Sequence, residues 1–152
     1  MSEFAIEIES DPTPDDLGVV ERGLIDHGEA RSEPRSAQPL TIFVRDGTGR
    51  VVGGVRGATV WGWLEIKLLW VSEEHRGKGL GKKLMAAAEH EGLKRGCRHA
   101  WVDTFDFQAP RFYAKLGYHV FGTLEDFPAG HTRFFMEKRD LGESSSMTAV
   151  RR

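Results

Sequence analysis

The sequence predicts a single α/β domain in which strands and helices alternate along one chain. Three observations carry that expectation. At 152 residues and 39% hydrophobic content, the chain is long enough to bury a core without disulfides or a metal. Seven short segments read as strands, either by period-two alternation or as apolar runs rich in β-branched and aromatic residues. Between them lie three stretches with apolar residues at helical spacing, each closed by a glycine.

The elements follow in order. Ile6 and Ile8 alternate with Glu7 and Glu9, so residues 4–9 read as a first strand, ended by the turn formers Ser10-Asp11-Pro12-Thr13-Pro14. A helix capped by Asp15 or Asp16 then carries Leu17, Val20, Leu24 and Ile25 to a stop at Gly28. Residues 29–39, rich in Arg, Ser and Pro, read as a mobile loop. Residues 40–44 and 51–60 flank Asp46-Gly47-Thr48-Gly49, a hairpin whose Asp-Gly pair supplies the positive φ of a tight turn. Residues 63–71 are apolar almost throughout and belong at the centre of a sheet. From Leu80 a helix runs through Leu84, Ala88 and Leu93 to Lys94 and Arg95, with Gly96 as its stop. A strand over residues 100–105, a short helix over 108–116 ended by Gly117, and strands over 118–122 and 132–137 complete the pattern. The domain is expected to span residues 1–140. A tail over residues 141–152, containing Ser144-Ser145-Ser146 and no apolar pattern, is expected to be disordered.

Composition excludes several function classes. A formal charge of −2 and a pI near 6.3 provide no general basic field, so neither a nucleic acid nor an anionic membrane is an expected partner. The single cysteine, Cys97, suits a reducing compartment. The N-terminus has no apolar signal-like core, and no window approaches a membrane span, so a cytoplasmic protein is expected. The six histidines include no His-Glu-x-x-His, and no cysteine pairs accompany them, so no catalytic metal is expected.

The segment Arg76-Gly77-Lys78-Gly79-Leu80-Gly81 breaks local rules. Each glycine in a helical position costs on the order of 1 kcal/mol relative to alanine. Arg76, Lys78, Lys82 and Lys83 add positive charge where the helix dipole is already positive. Both anomalies vanish if the helix start holds an anion, because glycines let backbone N–H groups approach it and the basic side chains neutralise it. The alternative is a glycine-rich turn on a solvated basic surface. A Walker loop is disfavoured because Lys83 stands where a magnesium-binding hydroxyl is needed. A dinucleotide fingerprint is disfavoured because Lys82 stands three positions after Gly79, and because four strands precede the segment.

Residues 71–85, Val-Ser-Glu-Glu-His-Arg-Gly-Lys-Gly-Leu-Gly-Lys-Lys-Leu-Met, resemble motif A of the GNAT acetyltransferases, whose core is Gln/Arg-x-x-Gly-x-Gly/Ala; Arg76, Gly79 and Gly81 match it. Residues 109–118, Ala-Pro-Arg-Phe-Tyr-Ala-Lys-Leu-Gly-Tyr, resemble the later motif of that family. The resemblance implies a central, mixed but mostly antiparallel sheet of about seven strands, with helices on both faces and strands 4 and 5 splaying apart. It implies acetyl-CoA as co-substrate, with its pantetheine against Leu69, Trp70 and Val71 and its pyrophosphate on Arg76, Gly77, Lys78, Gly79, Leu80, Gly81 and Lys82. The acceptor would be a primary amine of a small molecule or peptide.

Acyl transfer from a thioester to an amine needs a neutral nitrogen, a stabilised oxyanion and a proton for the departing thiolate. By the resemblance, Tyr113 matches the tyrosine that protonates the CoA sulfur; otherwise it is a packing residue like Phe112. Several family members carry a base glutamate where Glu65 stands, and strand alternation puts Glu65 on one face with Trp61, Trp63, Lys67 and Leu69. Pairing with Lys67 would make Glu65 merely structural. Asp106 replaces the asparagine common seven residues before the tyrosine, leaving open whether it serves cofactor or acceptor. Asp103 and Asp106 together suit a cationic acceptor, or else cap the next helix. His131 lines the acceptor pocket or is a turn residue. Cys97 lies away from both motifs and reads as a buried, inert thiol, so direct transfer in a ternary complex is expected over a ping-pong route. Exposed sheet edges are consistent with a homodimer. The competing reading is a non-catalytic acyl-CoA sensor or regulatory module.

Overall fold

The computed structural model describes residues 3–32 and 35–142. Two compact units divide at residue 35. The first holds one helix, α1 (Pro14–Glu29). Thr13 caps it, its hydroxyl accepting from the Asp16 N–H at 3.1 Å, with Pro14 at the first helical position. The expected cap at Asp15 or Asp16 is thus corrected to Thr13, with both aspartates in the first turn, and the helix runs through Gly28 to a C-cap at Ala30. The expected strand over residues 4–9 does not form. Ile6 and Ile8 are fully exposed there; alternation supplies two faces, but a strand also needs a ladder, and among the described residues 4–9 join no sheet.

The second unit is a six-stranded sheet with two helices. Its strands are β1 (Gln38–Arg45), β2 (Val51–Val60), β3 (Trp63–Val71), β4 (His99–Phe105), β5 (His119–Glu125) and β6 (Thr132–Lys138), in spatial order β1-β2-β3-β4-β6-β5. Every pairing is antiparallel except β3 with β4. The β1–β2 turn takes its positive φ of 87° at Gly49, not at the expected Gly47. The Asp46 carboxylate organises that turn by accepting from Thr48 and Arg50.

Helix α2 (Leu80–Lys94) follows β3, and helix α3 (Pro110–Lys115) follows β4. Leu84, Met85 and Ala88 of α2 pack with Leu40, Val55, Leu64, Ile66 and Val102 of the sheet, and Tyr113 and Tyr118 join the same core. Beyond the expected domain end at 140, Leu141 is buried in that core and its N–H donates to the Arg98 carbonyl at 2.8 Å. The rest of the expected tail, residues 143–152, lies outside the described residues.

Two irregularities shape the centre. In the β2–β3 ladder Arg56 pairs with Leu68 and Gly57 with Ile66, so Lys67 is an extra residue. Gly57 is required at this bulge, because a Cβ there would run into the Glu65 carbonyl oxygen. The bulge reverses alternation along β3: Leu64 and Ile66 face the core before it, and Leu69 and Val71 pack against the core after it. The expectation that Glu65, Lys67 and Leu69 share a face is therefore corrected. The second irregularity lies between β3 and β4, whose pairing stops at Ile66 with Val102. Beyond that point residues 67–71 and 103–105 diverge without bonds to each other. This is the expected splay; it falls between the third and fourth strands because the expected first strand is missing.

Candidate active site

The divergence of β3 and β4 opens a cleft of about 460 Å³, lined by the end of β3, the glycine segment, the first turn of α2 and the start of α3. Of the residues expected to hold the cofactor, Leu69, Trp70, Val71, Arg76, Gly77, Gly79, Leu80, Gly81 and Lys82 line it. Lys78 does not. His75, Ala109 and Phe112 also line it and were missed. Phe112 had a signal, since it adjoins Tyr113 in the second motif; a Cβ on Gly81 would lie 3.3 Å from its ring, which keeps that position small.

The glycines have a defined backbone role. Gly77 and Gly79 sit at φ of 78° and 76°, conformations that side chains rarely adopt. Gly79 is also the N-cap of α2, with no side-chain cap and no acidic residue in the first turn. The first N–H groups of a helix lack intrahelical partners, so those of Leu80, Gly81 and Lys82 stand at the cleft wall with the positive end of the dipole. Arg76 folds back, its Nε donating to the Val71 carbonyl at 3.0 Å, while the Ser72 hydroxyl and His75 Nδ1 lie 2.7 Å apart. Apolar β3 residues at one side and orphan N–H groups at the other fit a ligand with an extended, largely apolar arm and a phosphate group.

Tyr113 is 6% exposed, wedged edge-on between Phe112 and Tyr118 with centroids 5.1 and 5.9 Å away. Its hydroxyl makes no hydrogen bond among the described residues, yet no buried side-chain oxygen lacks a partner, so that hydroxyl reaches solvent. Burial, reinforced by the negative charge of Asp103, pushes its pKa up to about 12. The phenol is neutral at physiological pH.

Glu65 lies on β3 before the bulge, level with Trp101 of β4 and opposite in direction to buried Leu64 and Ile66. It does not line the cleft of the glycine segment. Among the described residues, no ion pair joins it to exposed Lys67.

The two aspartates behave differently. Asp106 accepts from the Thr132 N–H at 3.0 Å through one oxygen and lies 2.9 Å from His131 Nδ1 through the other. Its slight desolvation pushes the pKa up, but the Thr132, His131 and Phe107 contacts outweigh this and hold it below the usual value. Both oxygens are thus engaged in closing the β5–β6 turn. Asp103 is gripped by Arg133, with Nε at 2.7 Å and a terminal nitrogen at 2.6 Å, both on Oδ2. The guanidinium lies 4.9–5.4 Å from the centroids of Phe105, Phe127 and Phe135. Cys97 is buried, and burial, opposed in part by Arg95, raises its pKa and keeps it a thiol.

The comparisons agree with this geometry. The family model described as "Acetyltransferase (GNAT) family" matches residues 4–118. An acetyltransferase of Agrobacterium fabrum is 38% identical over 116 residues, covering 76% of this chain and 85% of that protein. A blasticidin-S acetyltransferase of Streptomyces morookaense is 38% identical over 112 residues, covering 71% and 82%. The crystal structure of an acetyltransferase from Bacillus cereus superposes with a TM-score of 0.79 at 32% identity, over 88% of this chain and 97% of that one. The splayed sheet, the glycine-built helix start and these matches together establish that the chain belongs to the GNAT acetyltransferase family and is an acyl-CoA-dependent N-acyltransferase.

Proposed function

We propose that the chain moves the acetyl group of acetyl-CoA to a primary amine of a small molecule or peptide by direct transfer in a ternary complex. The observation that carries this reading is a cleft that ends in orphan helix N–H groups and is lined by Phe112, the ring neighbour of Tyr113; Tyr113 itself does not line that cleft, but its neutral hydroxyl reaches solvent. Relatives named for blasticidin-S and streptothricin point to small-molecule acceptors. Arg76, Gly77, Gly79, Leu80, Gly81 and Lys82 hold the pyrophosphate, with Lys78 adding only long-range charge, and Leu69 to Val71 line the path of the pantetheine.

In this scheme Glu65 takes, through water, the proton that keeps the acceptor an ammonium ion. The freed nitrogen bonds to the thioester carbon, and the C–S bond then breaks with its electron pair on sulfur. Tyr113 donates a hydrogen bond to that sulfur. A phenol at about 12 giving its proton fully to a thiolate of pKa roughly 8.5 would be uphill by about 5 kcal/mol. The phenol therefore stabilises the developing thiolate, and the proton that finally neutralises sulfur originates on the acceptor nitrogen. The buried Cys97 thiol, the chain's one cysteine, is unsuited to an acyl-enzyme route.

The test is release of free CoA from acetyl-CoA with a panel of amines. Amine-dependent release supports the proposal. Tight acetyl-CoA binding without release to any amine favours the sensor reading.

A further inference from the structure

Asp103 is the first β4 residue beyond the last β3–β4 pair, where the strands begin to part. Its neighbours Val102 and Thr104 are buried in the core, so its side chain faces the other way, as do those of Trp101 and Glu65. Glu65 and Asp103 thus stand on one face of the sheet, two residues apart in register, on either side of the opening. Both Arg133 contacts fall on Oδ2 of Asp103, and no hydrogen bond reaches Oδ1 among the described residues. Among the described residues no buried side-chain oxygen lacks a partner, so Oδ1 is open to solvent. Arg133 in turn is fixed by three phenyl rings. The carboxylate is therefore rigid, with one oxygen used and one presented. The negative charge of Asp103 also acts on the Tyr113 phenol, so the two side chains lie near each other. Asp106, by contrast, has both oxygens occupied.

We infer that Asp103 is a specificity-determining residue: its free oxygen receives a second cationic group of the acceptor, so that the enzyme prefers amines carrying another positive charge near the nitrogen to be acetylated. This rests on the amine-acceptor reading above. Arg133 is a positioning residue in this account, holding the carboxylate in the one rotamer that presents Oδ1.

The experiment compares diaminobutane with butylamine, of equal chain length, in wild type and Asp103→Asn, with acetyl-CoA affinity measured by calorimetry. Wild type is expected to favour the diamine. Loss of a hydrogen bond to a charged group predicts a fall of about tenfold or more in kcat/KM for the diamine, carried mainly by KM. Butylamine turnover and acetyl-CoA affinity are expected to stay within about threefold. Because Asp103→Asn weakens the partner of Arg133, the double variant with Arg133→Met, which keeps packing against the rings without an orphan charge, is measured alongside and is expected to lose the same preference. Equal losses on both amines, or an unchanged preference, overturn the inference and leave the acetyltransferase reading intact. A wild type that binds acetyl-CoA but acetylates neither amine overturns the inference together with the simple-amine acceptor it assumes.

Discussion

The glycine segment before α2 and the polar cluster where β4 meets β6 deal with charge by opposite means. At the first, the polarity belongs to the backbone: two glycines at positive φ and a helix with no side-chain cap leave N–H groups facing the cleft. At the second it belongs to side chains distant in sequence: Asp103 meets Arg133 across 30 residues, and Asp106 meets His131 across 25. A backbone site must be written into consecutive residues, so it leaves a motif. A side-chain site is assembled by strand register and leaves none.

Several substitutions break or sharpen that contrast. The largest effect is expected at the centre, between the two regions. Tyr113→Phe removes the hydroxyl while keeping the ring among Phe112 and Tyr118, and kcat should fall about a hundredfold or more with acetyl-CoA affinity unchanged in calorimetry. A loss confined to affinity would make Tyr113 a packing residue.

Next comes the backbone site. Gly79→Ala forces a Cβ into the left-handed region, a strain of roughly 1–2 kcal/mol that turns the following N–H groups away, so acetyl-CoA should bind about tenfold more weakly. Gly81→Ala meets only the Phe112 ring and should cost no more than about threefold. Equal effects at the two positions would mean that positive φ is not what the segment supplies.

A third test uses stability. The folded pKa of Tyr113 is raised to about 12 from the ordinary phenol value of 10.0, and that of Tyr118 is raised as well, by burial and the carboxylate of Glu89. An acid whose folded pKa is raised contributes stability that is fully present below its unfolded value. That stability is lost as pH climbs towards the folded value, because the unfolded chain releases its proton first. Denaturant midpoints should therefore be flat to about pH 9 and decline between about pH 10 and 12, Tyr113 accounting for roughly 2 kcal/mol of the decline. Tyr113→Phe should remove that share.

The smallest effect is expected at Asp106. Asp106→Asn retains an acceptor for the Thr132 N–H and changes only the partner of His131, so acetyl-CoA affinity should be unchanged and acceptor KM should move by less than about threefold. A large loss of acetyl-CoA affinity would instead assign Asp106 to the cofactor.

The same distinction separates what was legible in the sequence from what was not. Six strands, three helices and the glycine segment were readable because periodicity and glycine placement are local signals. The strand expected over residues 4–9 failed because pairing is not local. The bulge opposite Gly57 was invisible for a related reason: an extra residue in β3 shows only against the ladder of β2, and it reverses which side Leu69 faces. Thr13 outcompeted Asp15 and Asp16 as the cap because Pro14, with its fixed φ, sits best at the first helical position. At the candidate site, Tyr113 was singled out through a motif, whereas the unequal engagement of Asp103 and Asp106 became visible only once β6 lay beside β4.

The most direct measurement of the central claim is calorimetric titration of acetyl-CoA into wild type and Gly79→Trp, whose side chain strains the same left-handed position and stands beside the orphan N–H groups. Micromolar binding by wild type that disappears in the variant is the predicted result. No binding by wild type, or equal binding by both, would contradict the assignment of the glycine segment as the acetyl-CoA site.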